Sequence, residues 1–378
     1  MKIRNVDWDF AKTSDGFGIH AIHPYPAKFI PQIPRKLIEM FYPGDSSVIL
    51  DPFCGSGTTL VEAIDKGIDC WGIDLHPLAC LITSVKTTPL SISIEQNIAK
   101  TIGRALVRLQ NKDYLIPPIP RLDHWFEKPI QRALTTLIRE VNNEPSKEIC
   151  DVLKVAVSSI IVRVSNQESD TRYAAVKKTV TAEEVFAQFE KAALAINRAL
   201  IERYARTNGK NAVAKVINQN ILNVNPNSLP KNIGLVITSP PYPNAYEYWL
   251  YHKYRMYWLG MDPLAVKKDE IGARPNYFKK NHQDERDFES QMGICFDILS
   301  KVMIPEGKAC FVIGRSIIHG REIDNLALLV RAAKPHGFTV KEIAEREILR
   351  TKKSFNPSYG SISREHLIVF SLKKKRRK

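Results

Sequence analysis

The chain has 378 residues, of which 44% are hydrophobic, and its formal net charge is +15 at pH 7. This length and apolar content are sufficient for a sizeable core, and no apolar run approaches the roughly 18 residues that a membrane-spanning helix needs. We therefore expect no membrane association, while the excess of positive charge favours a polyanionic partner.

Six cysteines are scattered along the chain without a Cys-x-x-Cys pair, and most lie in apolar runs. Cysteines in this pattern are expected to be reduced core residues, neither disulfide partners nor zinc ligands. The first residues, Met1 to Trp8, lack the apolar segment of a signal peptide. The sequence therefore predicts a cytoplasmic protein.

The segment from His20 to Pro31 precedes an amphipathic helix that is predicted from about Pro34 to Phe41. His20 and His23 have a spacing that metal ligands can have, but no cysteine or acidic residue lies near them in the sequence. We therefore expect them to be structural or to contact a substrate, with no metal bound.

A β-rich run from Ser47 ends at Asp51, and a turn containing Gly55 and Gly57 leads into a helix that begins at Thr58. Glycines let a ligand approach the backbone, and a helix N-terminus offers free N–H groups. The turn is neither a GxxxxGK(S/T) phosphate loop nor a GxGxxG turn, and it has no lysine to serve a triphosphate. Its acidic residue instead suits a cationic or amino-bearing ligand.

The next predicted strand, Asp69 to Leu75, contains Asp74 near its end, the position at which such folds usually bind a ribose diol. A helix is predicted from His76 to about Val85. Capping of this helix is the alternative role for the Asp74 carboxylate.

Between residues 89 and 213 the pattern changes to helical periodicity, which predicts four helices: Ile98–Leu109, Ile130–Val141, Val152–Val162 and Ala182–Tyr204. A break of this length in the strand pattern indicates an inserted helical region. Two polar loops lie within it, Asp123–Phe126 and Ser165–Tyr173. Their side chains can bind base edges or phosphates, or can cap and connect helices.

The strand pattern resumes at Ala214–Ile221 and continues with a buried parallel strand, Ile233–Thr238, at whose carboxyl end a ligand is expected. The turn that follows is Ser239-Pro-Pro-Tyr242. Its two prolines lack backbone donors, so the carbonyls of Ser239 and Pro240 are left as rigid acceptors beside a hydroxyl and an aromatic ring. This arrangement suits an exocyclic amino group on a flat heterocycle; a proline-rich turn with a packed tyrosine is the alternative.

The remaining predicted elements are, in chain order, an aromatic helix over Asn244–Leu259, a surface loop over Lys267–Arg286, a strand at Lys308–Gly314, a helix at Asn325–Ala333, and strands at Phe338–Leu349 and His366–Leu372. The last strand follows a short connection and is therefore expected to be antiparallel. Lys373–Lys378 is a basic tail that we expect to be disordered.

Together, Asp51-Pro-Phe-Cys-Gly-Ser-Gly-Thr58 and Thr238-Ser-Pro-Pro-Tyr242 resemble the methyl-donor and catalytic motifs of amino-group DNA methyltransferases. The serine form of the second motif resembles the cytosine-N4 branch. His23-Pro-Tyr-Pro-Ala-Lys-Phe29 resembles the extra cofactor motif of the family. The resemblance implies an α/β, S-adenosylmethionine-dependent methyltransferase fold, with a seven-stranded mixed sheet, a reversed last strand and an inserted helical region.

The resemblance also implies a division of the chain into a cofactor-binding part (1–88), a helical target-recognition insertion (89–213), a catalytic part (214–372) and the basic tail (373–378). The catalytic residues would be Ser239, Pro240, Pro241 and Tyr242. The cofactor S-adenosylmethionine would be bound by Tyr25, Lys28, Asp51, Phe53, Gly55, Gly57, Thr58, Asp74 and Asn220. Asn220 or Asn223 would stand where the family often has an acidic residue near the adenine. The proposed substrate-binding residues are Asn166, Arg172, Tyr173 and Tyr246, and no metal is expected.

The implied reaction is methylation of the exocyclic N4 amino group of cytosine in a specific sequence of double-stranded DNA, by base flipping and direct methyl transfer. A cytosine-C5 enzyme would need a nucleophilic cysteine, typically after a proline, and the sequence contains no Pro-Cys pair. Adenine-N6 methylation, methylation of an RNA base and a catalytically retired DNA-binding protein remain alternatives. A restriction-modification or epigenetic role, a cognate endonuclease and association with a prokaryotic nucleoid are further expectations.

Overall fold

Seven strands form the central sheet of the protein. The computed structural model describes residues 2–10, 18–26, 30–44, 46–170, 172–207, 211–244, 247–280, 282–347 and 364–373. The strands of the central sheet are β1 (Val48–Asp51), β2 (Cys70–Asp74), β5 (Ala214–Asn218), β6 (Ile233–Thr238), β7 (Met303–Gly314), β10 (Phe338–Glu347) and β11 (Arg364–Leu372). Two small hairpins lie outside it, β3 (Gln167–Ser169) with β4 (Arg172–Ala175), and β8 (Ser316–Ile318) with β9 (Arg321–Ile323).

The order of strands across the sheet is β10-β11-β7-β6-β1-β2-β5. β1 runs parallel to both of its neighbours, and β6 runs parallel to β7. β11 is antiparallel to β7 and to β10. The seven-stranded mixed sheet with a reversed last strand is therefore confirmed. The strand order reverses between β1 and β6, and this is where open α/β sheets bind their ligands.

Helices cover both faces of the sheet. Their bounds are α1 (Gln32–Phe41), α2 (Thr58–Asp65), α3 (Pro77–Thr87), α4 (Glu95–Gln110), α5 (Leu122–Trp125), α6 (Lys128–Asn142), α7 (Lys147–Ile160), α8 (Ala182–Arg206), α9 (Tyr248–Tyr251), α10 (Lys253–Trp258), α11 (Pro263–Asp269), α12 (Glu285–Val302) and α13 (Asn325–Ala333). Successive strand side chains point to opposite faces. Ile49 accordingly packs with α1 and α2, whereas Leu50 packs with α12 and α13.

The inserted region contains α4 to α8 and the β3–β4 hairpin. Its apolar residues share one buried cluster with α3 and α10, so the insertion packs directly on the helices that cover the central sheet. The long helix α8 begins with a capping box, in which Thr181 and Glu184 satisfy each other's backbone N–H groups. The four helices predicted in this region are all present.

Five predictions differ from the structure. The polar loop Asp123–Phe126 is instead mostly the short helix α5, and Trp125 and Phe126 are buried. The polar segment Ser165–Tyr173 forms most of a hairpin instead of a loop. The predicted aromatic helix is two short helices, α9 and α10, separated at His252. The supposed surface loop Lys267–Arg286 contains the end of α11, a 3-10 turn and the fully buried Tyr277. Helix α12 was not predicted. Of the basic tail, residues 374–378 lie outside the described residues.

All six cysteines are unpaired and buried, as predicted. No helix in the described ranges is long and apolar enough to cross a membrane.

Candidate active site

The carboxyl ends of β6, β1 and β2 place Thr238, Asp51 and Asp74 side by side along one edge of the sheet. The Thr238 hydroxyl donates a 2.6 Å hydrogen bond to Oδ1 of Asp51. This contact joins the strand before the Ser239 turn to the strand before the glycine turn, although the two residues are 187 positions apart. The two sequence motifs therefore form one site.

The two carboxylates of the site, Asp51 and Asp74, are shielded from solvent, which disfavours their ionised forms. Burial raises the pKa of Asp51 to about 6, although hydrogen bonds from the Thr238 and Thr59 hydroxyls and from the N–H of Phe53 act in the opposite direction. Burial likewise raises the pKa of Asp74 to about 6, against the backbone N–H groups of His76 and Gly55. Neither forms an ion pair with any residue that the structure describes. A cationic or hydroxyl-bearing ligand would stabilise their ionised forms.

The position of Asp74 is compatible with both roles considered for it, binding of a ribose diol and capping of the helix that follows. Its Oδ2 accepts a 2.8 Å hydrogen bond from the N–H of Gly55, and its Oδ1 accepts one of 2.8 Å from the N–H of His76, the residue before α3. The carboxylate thus fixes the glycine turn and the start of the helix. Each oxygen keeps a second lone pair that can accept from a ribose hydroxyl.

The glycine turn is shaped by close packing. Gly57 has φ +81°, and a β-carbon on it would lie 2.7 Å from the side chain of Thr83. The Thr83 hydroxyl donates a 2.8 Å hydrogen bond to the Gly55 carbonyl. Thr58, the first residue of α2, is buried, whereas Phe53 is half-buried against the core. At Gly55, by contrast, the turn leaves open space, because an added β-carbon there would meet only Tyr25, at 4.0 Å.

Tyr25 covers this turn from the N-terminal segment. Its ring stacks on His252, with 4.8 Å between centroids, and on Tyr248, with 5.7 Å. Burial, and then the charge of Asp74, raise the pKa of its phenol well above the usual value. Lys28, from the same motif, lies outside the described residues.

The two N-terminal histidines have protein partners. His20 lies 2.9 Å from Glu62 on α2, and His23 lies 2.9 Å from the hydroxyl of Ser158 on α7. Both contacts attach the segment before Tyr25 to the fold. Within the described ranges no group of three His, Cys, Asp or Glu side chains is placed to hold a metal ion.

The Ser239–Tyr242 turn projects from the end of β6, with Ser239 half-buried. The hydroxyl of Tyr242 donates a 3.0 Å hydrogen bond to Oε1 of Glu365 on β11 and is also hydrogen-bonded to the Ser239 side chain. Burial, with Glu365 as the second cause, raises the pKa of Tyr242 well above its usual value. Glu365 in turn lies 3.5 Å from Arg346. These contacts fix the ring beside Ser239.

Three residues at this site were not found from the sequence. Glu365 binds Tyr242 from the reversed strand, and Gly272 packs on the Tyr242 carbonyl. Glu270 accepts a 2.8 Å hydrogen bond from the N–H of Tyr248, and burial raises its pKa to about 8. Of the three, only Gly272 could have been noticed in the sequence, as a glycine in a predicted loop. Glu365 and Glu270 could not, because each contacts a residue that is distant in the sequence.

Asn220 follows β5 at the same sheet edge, but its side chain is engaged. Its Oδ1 accepts from the N–H of Leu222 at 3.0 Å, and its Nδ2 donates to the carbonyl of Asp269 at 3.3 Å. The structure therefore places Asn220 as a link between two loops beside the site.

The residues predicted to bind substrate lie on or near the β3–β4 hairpin. Asn166 links it to the α5 region, because its Nδ2 donates to the His124 carbonyl at 3.4 Å and its Oδ1 accepts from the N–H of Lys178 at 3.2 Å. Arg172 is exposed and pairs with Glu168. Tyr173 packs on Trp125, with 4.7 Å between ring centroids.

The hairpin is attached to the segment that follows the Ser239–Tyr242 turn. The fully buried Arg255 on α10 forms an ion pair with Asp170 in the hairpin turn, and its Nε donates to the Ser158 carbonyl at 2.9 Å. Helix α9 also contacts β4. Tyr246, in the same segment, lies outside the described residues.

Comparison with known proteins finds similarity to DNA methylases. The model of the N6/N4 DNA methylase family matches residues 4–84. The type II methyltransferase M.MvaI of Kocuria varians is 26% identical over 242 residues, which cover 59% of this chain and 53% of that protein. M.BsoBI of Geobacillus stearothermophilus is 25% identical over 287 residues, which cover 66% and 54%. M.MjaII of Methanocaldococcus jannaschii is 45% identical over 87 residues, which cover 21% and 16%. The chain thus spans about half the length of M.MvaI and M.BsoBI.

Proposed function

We propose that this chain, whose residues 4–84 match the model of the N6/N4 DNA methylase family, methylates the N4 amino group of cytosine in a specific sequence of double-stranded DNA, with S-adenosylmethionine as the methyl donor. The observation that carries the proposal is the 2.6 Å contact between Thr238 and Asp51. It sets the acceptor-rich turn directly beside two carboxylates that have no cationic partner among the described residues.

The donor side is built from the first part of the chain. When bound, S-adenosylmethionine supplies a methyl group activated by a positively charged sulfur. Asp51 and the open turn at Gly55 would hold its methionine end, and Asp74 would accept from the ribose hydroxyls. Tyr25 and Lys28 would close the pocket. The remaining residues proposed for this site are Phe53, Gly57, Thr58 and Asn220.

The acceptor side is the Ser239–Tyr242 turn. The target base must leave the duplex, which costs a few kcal/mol for unstacking and unpairing. Tyr242 would stack on the flipped base, while the Ser239 hydroxyl and the Pro240 carbonyl accept hydrogen bonds from its amino group. Those bonds turn the nitrogen lone pair out of conjugation with the ring and toward the methyl group. Catalysis then comes from orientation and electrostatics, and Pro241 keeps the turn rigid.

The DNA side is the inserted region, residues 89–213, which we propose as the target-recognition part. Its hairpin reaches the catalytic side through the ion pair between Asp170 and Arg255. Arg172 and Tyr173, with Asn166 and Tyr246 beside them, are the proposed substrate contacts. A restriction-modification role with a cognate endonuclease, in the cytoplasm of a prokaryote, completes the proposal.

The test is the identity of the methylated nucleoside. DNA and, in parallel, RNA from a host without methylases of its own would be incubated with the protein and methyl-labelled S-adenosylmethionine, digested and analysed by mass. We expect N4-methylcytosine. N6-methyladenine would show that the enzyme modifies adenine and not cytosine. Labelling of RNA alone would show that DNA is not the substrate. Binding of DNA without any transfer would identify a retired enzyme.

A further inference from the structure

Three positively charged side chains near the active site form what we term the basic strip: Arg121, Lys253 and Lys267. Arg121 precedes α5, Lys253 begins α10, and Lys267 lies in α11. None of them pairs with an acidic residue in the part of the chain that the structure describes. Many other basic residues of the chain do form such pairs, as Lys66 does with Glu39 and Lys128 with Asp123. The basic strip therefore carries uncompensated charge.

Aromatic rings support the two lysines of the basic strip. The Lys267 Nζ lies 4.5 Å from the centroid of the Trp249 ring. The Lys253 Nζ lies 5.8 Å from the ring of Tyr254 and 5.9 Å from that of Tyr257. Trp249 and Tyr254 are buried, so each ammonium group rests on a fixed surface while Lys267 itself remains exposed. Such contacts hold a cation in place without neutralising it.

The three side chains lie on adjoining parts of the fold. The carbonyl of Pro120, the residue before Arg121, accepts a 3.0 Å hydrogen bond from the hydroxyl of Tyr254, the residue after Lys253, and α10 contacts α11, which carries Lys267. Burial, followed by the charges of Lys267 and Arg121, lowers the pKa of Lys253. Like charges held together in the free protein raise its energy, and a polyanion bound across them would remove that cost. Single carboxylate ligands would leave part of the charge unmatched, whereas a nucleic-acid backbone presents one phosphate after another.

The basic strip lies on the segments that build the active site. Lys253 follows α9, whose Tyr248 stacks on Tyr25. Lys267 lies in α11, shortly before Gly272, which packs on Tyr242. Arg121 lies next to the hairpin region, because Tyr254, which bonds to the carbonyl of Pro120, packs on Trp125, the ring that Tyr173 of the hairpin also contacts. The three side chains therefore lie on segments that contact the residues around the Ser239 turn and the hairpin.

We propose that Arg121, Lys253 and Lys267 bind the phosphate backbone of the DNA beside the flipped base. This inference rests on the proposed function and adds a contact surface on the catalytic side of the site. Phosphate contacts fix the register and orientation of a duplex but carry no sequence information. The basic strip would therefore hold the duplex over the turn, while the hairpin region selects the sequence.

The test is DNA affinity as a function of salt for the double variant Lys253→Gln/Lys267→Gln and for Arg121→Gln. Each lost phosphate contact should reduce the slope of log affinity against log salt by about 1, equally for duplexes of different sequence. The control is Lys334→Gln/Lys341→Gln. These two exposed lysines lie before and on β10, at the far edge of the sheet, and form no ion pair with a described residue.

The expected result is a slope about 2 units smaller for the first double variant and an unchanged slope for the control. An unchanged slope in the first variant, or an equal loss in the control, would overturn the inference. If either of these results is found while the wild-type protein methylates DNA, only the role of the basic strip is rejected. If the wild-type protein methylates no DNA at all, the proposed function itself is rejected. The single variant Lys267→Gln, at an exposed helical position, serves if the double variant does not fold.

Discussion

Gly272 lies so close to the carbonyl oxygen of Tyr242 that a β-carbon on the glycine would be 2.4 Å from that oxygen. Its φ of +75° is also one that other residues rarely adopt. The segment after α11 thus packs directly against the Ser239–Tyr242 turn, and no larger residue fits at Gly272 without moving that turn.

We predict that Gly272→Ala slows methyl transfer by about 10–100-fold, because a small misplacement of reacting groups costs rates of that order. The matched control is Gly260→Ala. Gly260 has a similar φ of +72°, but no heavy atom lies within 4 Å of its added β-carbon. Both variants should lose about 1–2 kcal/mol of stability through the backbone. Equal single-turnover rates for the two variants would show that the contact with Tyr242 does not position the turn.

Donor binding should depend on pH through Asp51 and Asp74, whose pKa values are raised to about 6 by burial. In the free protein the raised pKa favours the protonated acids, so their contribution to folding stability is lost as the pH rises through 6. A cationic donor favours the ionised acids. Its affinity should therefore increase between about pH 5 and 7 and then level off. Calorimetry across this range would reveal a flat profile if these carboxylates do not contact the donor.

Asp74 can be tested separately. Asp74→Ala should weaken binding of S-adenosylmethionine by about 1–3 kcal/mol, the range for a lost hydrogen bond to a charged group. Asp74→Asn keeps an acceptor and should lose less affinity, together with part of the pH dependence. Unchanged donor affinity in a folded Asp74→Ala protein would remove this residue from the site.

Tyr242 has two separable features, its ring and its hydroxyl. Tyr242→Ala should cost about 1–3 kcal/mol of base stacking while leaving donor affinity unchanged. Tyr242→Phe keeps the ring and loses the 3.0 Å hydrogen bond to Glu365, so we expect a much smaller effect on single-turnover rate. If Phe is as damaging as Ala, the hydroxyl and its bond to Glu365 matter more than stacking.

The parts of the site that were predicted are those fixed by local sequence. Buried strands that end in Asp51, Asp74 and Thr238 are visible as apolar runs that stop at polar residues. Because parallel strand ends share one edge of a sheet, the motifs could be expected to meet. The glycine turn and the proline turn have local signatures of their own.

The parts that were missed depend on partners distant in the chain. Tyr242 and Glu365 are 123 positions apart, and no local pattern connects them. The β3–β4 hairpin has a polar sequence without strand alternation, and it is held by the ion pair between Asp170 and Arg255 and by the packing of Tyr173 on Trp125. Tertiary contacts outweigh local propensity in this hairpin.

The claim that the turn after β6 acts on the amino group of the target base is tested most directly at Ser239. Single-turnover methylation of DNA by Ser239→Ala should be measured together with donor affinity. If Ser239 accepts a hydrogen bond from the amino group, the rate should fall by about 10–1,000-fold, as with the loss of one positioned polar contact. Donor affinity should stay at the wild-type value, because in the proposed complex this side chain contacts the base and not the donor. Full turnover on cytosine by Ser239→Ala would contradict the assignment of this turn to the target amino group.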